Sequence, residues 1–130
     1  MHFAELENMN RKFTKNIAPV VKEEIQLSQV ANSKGENDRA FNHLENAHVL
    51  GQESTYWHVK VHFLMFVWSI RNRNTKEFFG QILRMVGALT KTAIGLVPIG
   101  NTGGSNISPF KKLPLKPEHR VAILKAKGNA

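Results

Sequence analysis

Seven apolar residues near the start of the chain, Phe13, Ile17, Val20, Val21, Ile25, Leu27 and Val30, recur at steps close to three and four. That is the period of a helix with one buried face, and it constrains the fold more than any other feature. The spacing predicts a helix from Met9 to Ser33. Pro19 is the flaw in it, implying either a kink or a helix that starts there with Pro in its first turn. Lys34-Gly35 ends the element, Gly supplying the positive φ of a helix terminus. A second helix is expected from Asn37 to Leu50, stopping at Gly51. Ser54 is a fitting N-cap for a third over Thr55–Arg71, apolar almost all round and therefore central. Asn72–Asn74 make a turn, and Thr75 caps a fourth helix from Lys76 to Gly95, broken by Pro98.

Two of these segments echo each other. GENDRAFNHLENAHVL, residues 35–50, places small residues at the spacing of the second helix of a tetratricopeptide repeat, where they let paired helices approach closely. RNTKEFFGQILRMVGAL, residues 73–89, can be laid over it with Phe78 against Ala40 and Met85 against Ala47. The reading is an all-α protein of two tetratricopeptide-like hairpins, with a plain antiparallel four-helix bundle as the alternative. Residues 1–8 are an N-terminal extension and 9–127 a single domain. Within it, 9–97 form the four-helix core, 98–116 a packed Gly/Pro-rich loop and 117–127 a short helix. The loop's apolar anchors are Ile99, Ile107, Phe110, Leu113 and Leu115, and the short helix turns Val121 and Leu124 inward.

Composition narrows the chemistry. A chain of 130 residues, 42% hydrophobic and 22% charged, can bury enough surface to fold without a structural metal. It has no cysteine, which excludes disulfides, thiolate zinc sites and cysteine nucleophiles. Its longest apolar run, residues 61–70, is about half a membrane span, and Glu5 and Glu7 stand where a secretory signal would be apolar. A soluble, cytoplasmic protein is expected. Charge is uneven: through Glu53 there are six Lys/Arg against eight Asp/Glu, and beyond it twelve against only Glu77 and Glu118. The basic half suggests an acidic protein, an anionic ligand or nucleic acid as partner, although its lysines lack the aromatic interleaving of a single-strand binder.

Four of six histidines lie in HLENAHVLGQESTYWHVKVH, residues 43–62. His58 and His62, four apart, share a helix face and can chelate one Zn, Ni, Cu or Fe ion. The first His is followed by Val59 where a zinc peptidase carries its Glu base. His43 and His48 are about 140 degrees apart around a helix and diverge. A short Gly51–Glu53 connection makes the flanking helices antiparallel neighbours, so His48 can meet His58. Glu45, three before His48, has the carboxylate–imidazole spacing of helical di-iron sites. The candidate metal set is His48, His58, His62 and Glu45; the alternative is histidines that donate to carbonyls at helix ends and bind nothing.

The second candidate is the loop Gly100, Asn101, Thr102, Gly103 and Gly104, with Arg84, Lys91, Lys111 or Lys112 nearby. Its backbone N–H groups can form an anion-holding nest, or its glycines simply permit a tight reversal that Asn101 and Asn106 bond. No Lys-Ser/Thr follows, so it is not a P-loop, and no catalytic triad or dinucleotide motif is visible.

Together HLENAHVLGQ, HVKVH, GQILRM and GNTGGSNISPFKKLPL resemble a family of small bacterial proteins, domain-of-unknown-function family 3703, over about residues 9–118. The resemblance implies a compact helical protein ending in a shared loop, and no activity. The leading functional reading is a non-enzymatic binding or interaction module. A transition-metal-binding protein is second, and nucleic-acid binding through the basic half third.

Overall fold

The computed structural model describes residues 3–93, 100–108 and 111–128. Among them lie five helices and no strand: α1 Phe3–Ser33, α2 Asn37–Gly51, α3 Thr55–Arg71, α4 Thr75–Ala93 and α5 Pro117–Ala126. α1 packs chiefly on α2 and α3 chiefly on α4, giving two hairpins; α2 and α3 join them, and α5 lies across α1 and α2.

α1 runs back to Phe3 and passes through Pro19 without ending. Its first turns carry Phe3, Leu6 and Met9 at helical steps but leave all three exposed, with the Glu7–Arg11 pair one turn apart on the surface. Leu27 and Val30, on period with the core, are nonetheless about 40% exposed. Gly35 takes φ +73 and closes the helix as expected. Ser54 caps α3 by accepting from Trp57 N–H, and its hydroxyl meets that of Thr14 on α1 at 2.6 Å. Asn74, not Thr75, caps α4: its side-chain oxygen accepts from Glu77 N–H at 3.0 Å. An amide oxygen reaches an N–H of the first turn as well as a hydroxyl does, and Thr75 is already the first helical residue.

The core is where the hairpins meet. Ile17 and Val21 of α1, Leu44 and Ala47 of α2, and Val61 and Met65 of α3 are buried together, with Trp57 and Trp68 at its ends. Both indoles donate to backbone carbonyls, Trp57 to Thr14 and Trp68 to Asn37, so neither carries an unsatisfied N–H inside. Met65, fully buried, lies on the same α3 face as His58 and His62, which sets the histidines at one end of this core.

In α5 the inward face is His119, Ile123 and Ala126. Val121 is 62% exposed and Leu124 37%, contrary to the expectation. Steps of four and three select 119, 123 and 126, and in so short a helix a single face cannot also take 121 and 124. Ile107, Leu113 and Leu115 are half-buried anchors of the loop. Ile99, Phe110, Pro98, Gly95 and the side chain of Lys91 lie outside the described residues. No helix among the described residues is long and apolar enough to cross a membrane.

Candidate metal centre

His48 from the last turn of α2 and His58 and His62 from the first half of α3 are all buried, and one ring nitrogen from each lies within 4.8 Å of the others. The tight connection between the helices brings them together. Gly51 makes it possible: a Cβ there would meet Trp57 Cβ at 2.7 Å. Ring centroids stand 4.6 Å apart for His48–His62, 4.9 Å for His48–His58 and 5.0 Å for His58–His62. His43 is elsewhere, its Nδ1 2.7 Å from Glu24 on α1, as its divergence on the helix predicts. Glu45 is not in the gathered set; its carboxyl takes a hydrogen bond from Thr102, while burial pushes its pKa up.

Hydrogen bonds fix the protons on two of the rings. His48 Nδ1 lies 2.6 Å from the Asn101 carbonyl, which can only accept, so Nδ1 carries the proton. His62 Nδ1 lies 2.6 Å from Gln81 Oε1. The Gln81 amide is held in that sense because its nitrogen donates to Glu77 Oε2 at 2.8 Å and to Gly103 O at 2.9 Å. In the neutral rings both Nε2 atoms are therefore bare acceptors, and they face each other at 3.1 Å. Two lone pairs at that distance repel unless a cation lies between them. A proton is disfavoured: burial, then the charges of His62 and His58, hold His48 well below the ordinary imidazole range. Two nitrogens at ~2.0–2.1 Å from one tetrahedral ion stand roughly 3.3 Å apart. A donor pair at the 4.8 Å limit must therefore close by about 1.5 Å, shared between two side chains, to hold such an ion.

The GNTGG loop forms the outer support. Gly103, at φ +82, lies so close to His48 that a Cβ would meet its ring carbons and Nε2 at 2.5–2.8 Å. Gly100, at φ +84, lies against the backbone of Leu113, with no room for a side chain. Asn101 ties the loop together, donating to Ser108 O at 2.8 Å and Lys111 O at 2.7 Å and accepting from Gly103 N–H at 2.9 Å. The loop's Ser105 N–H donates to Glu77 Oε1 at 2.9 Å, so the anion this part of the loop holds is the chain's own carboxylate. Arg84 does reach it, donating to Ile107 O at 2.8 Å and to Gly80 O at 3.2 Å.

A cavity of about 320 Å³ opens beside the histidines, lined also by Gln52, Leu83, Arg84, Gly87, Ala88, Asn101 and Gly103. Sequence spacing identifies the three histidines, but not Gln81, Glu77 or the Asn101 carbonyl. A Gln four residues after a Glu on one helix face is the only mark the Glu77–Gln81 pair leaves in the sequence.

No curated protein and no solved structure matches the chain. The family model described as Protein of unknown function (DUF3703) matches residues 15–123, which contain every residue of the site, and the chain belongs to that family.

Proposed function

We propose that the protein binds a divalent transition-metal ion through His48, His58 and His62. One observation carries the reading: two buried histidine nitrogens, both stripped of protons by their partners, face each other at 3.1 Å. Three neutral imidazoles suit Zn, Cu, Ni or Fe, and the outer nitrogens of His48 and His62 are oriented as those of ligating histidines usually are, by a carbonyl and an amide oxygen. Three protein ligands beside a cavity leave a coordination position open, the arrangement of sites that bind or activate a small molecule rather than of closed structural sites.

Chelator-treated protein titrated with Zn(II), Co(II), Ni(II), Cu(II) and Fe(II) tests this. The expected result is one ion per chain and a thermal shift. At a free metal concentration of 100 times Kd the folded state gains about 2.7 kcal/mol. No shift and no bound ion with any of these metals refutes the reading, as does affinity unchanged by His58→Ala with His62→Ala.

An interaction role for the hairpins has separate support. Phe79, Leu83, Val86 and Leu89 form an apolar row along α4 at helical steps, each between 55% and 75% exposed. Rows of this kind mark contact surfaces for another helix. Leu83→Lys with Val86→Lys is expected to abolish any self-association seen by light scattering; a wild type that stays monomeric at 100 μM argues against self-pairing.

A further inference from the structure

The lining of the cavity beside the histidines carries a positive side chain and no acidic one. Arg84 lines it, half-buried, and no ion pair among the described residues includes it. Its NH1 and NH2 groups each give one hydrogen bond to a carbonyl, and its Nε is buried with no partner among the described residues. The neighbouring acid, Glu77, makes no ion pair with it: one oxygen takes the Ser105 N–H and the other the Gln81 amide, although the Glu77 charge still acts on Arg84 at longer range. Glu45 takes the Thr102 hydrogen bond. A divalent ion on three neutral imidazoles would add two positive charges to that of Arg84. Such charge in a partly enclosed space is costly unless an anion accompanies it.

We infer that the cavity binds a small carboxylate, one oxygen taking the open position on the metal and the other facing the Arg84 guanidinium. The inference rests on the metal reading above. The walls favour a carboxylate over a fully polar oxyanion. Leu83, Gly87 and Ala88 offer an apolar surface for a short carbon chain next to Arg84, on the same helix. The cavity, near the lower end of small-ligand sites at about 320 Å³, suits a molecule of a few carbons. Arg84 is here a ligand-binding residue: its planar donors match a carboxylate, and it touches no metal.

The experiment uses the full chain loaded with Co(II), whose visible absorption reports its own coordination. Sodium acetate, sodium propionate, sodium phosphate and sodium chloride are titrated separately at constant ionic strength. Acetate and propionate are expected to change the Co(II) band saturably, and by linkage to tighten Co(II) binding by the factor with which Co(II) tightens theirs. Arg84→Gln is expected to keep Co(II) affinity within about threefold while weakening acetate at least tenfold. Arg84→Lys, which retains the charge, restores part of it and serves if the Gln variant does not fold. A Co(II) band that neither carboxylate alters overturns the inference and leaves the metal reading intact. So does a response to phosphate or chloride alone, or acetate affinity equal in both Arg84 variants and wild type. Absence of any Co(II) band overturns the inference, and together with no ion bound in the titrations above it removes both readings.

Discussion

Gly103→Ala tests how the loop supports the centre, because two separable costs meet at that position. The first is backbone: at φ +82 an L side chain is strained, about 1–2 kcal/mol. The second is steric. The new methyl would stand 2.5–2.8 Å from three atoms of the His48 ring, which must move while its Nδ1 is held by Asn101. Forcing a methyl into packed space typically costs a further ~1–3 kcal/mol. Gly35 isolates the first cost, since it has φ +73 and nothing within 4 Å of an added Cβ. Urea unfolding of the chelator-treated proteins should therefore give Gly35→Ala a loss of about 1–2 kcal/mol and Gly103→Ala about 2–5 kcal/mol. In a Zn(II) competition assay Gly35→Ala should behave as wild type, while Gly103→Ala weakens binding at least tenfold. Equal unfolding losses for the two variants, or an unchanged Zn(II) affinity in Gly103→Ala, would refute the argument that the loop holds His48.

Three further outcomes follow from the same geometry. Gln81→Leu removes the acceptor of His62 Nδ1 and should weaken metal binding by roughly 10–100-fold by competition, with little change in helix content by circular dichroism. Burial lowers the pKa of both His48 and His119, so the unfolded chain takes up protons first as pH falls. Metal-free stability should be fully present above the unfolded imidazole pKa of ~6.5 and decline below it, read as urea midpoints between pH 8 and pH 5; a midpoint that rises on acidification contradicts this. Ser54→Ala loses the α3 cap and the Thr14 contact and should cost ~1–2 kcal/mol; a loss within error of zero would remove the cap from the account.

The fold was legible where one face is apolar at helical spacing. Phe13, Ile17 and Val21, or Leu44 with Ala47, are buried as their spacing demands. It was less legible where an apolar stripe stays exposed, as with Phe3, Leu6 and Met9 in the opening turns of α1, or where a helix is short, as in α5, where the buried His119 rather than Val121 marks the inner face. The three histidines were readable because four-residue spacing and a short connection fix relative position almost without tertiary information. Their orientation was not. It depends on Gln81 and on the carbonyl of Asn101, a backbone atom 53 residues from His48 that no residue type announces. The glycines of GNTGG were visible, yet their main service is room for a ring and for Leu113, which only packing reveals.

That long reach also sets an order of events during synthesis. The α2–α3 hairpin can pair once Arg71 has left the ribosome, so the histidines become neighbours early. Their rings acquire fixed tautomers only after Gln81, Asn101 and Gly103 have emerged and docked. A half-made chain thus lacks the partners that orient the imidazoles, and the finished chain has them. On the metal reading proposed above, ion capture would be deferred until the last third of the polypeptide has folded, and metal retention would read out completed assembly rather than the presence of the histidines alone.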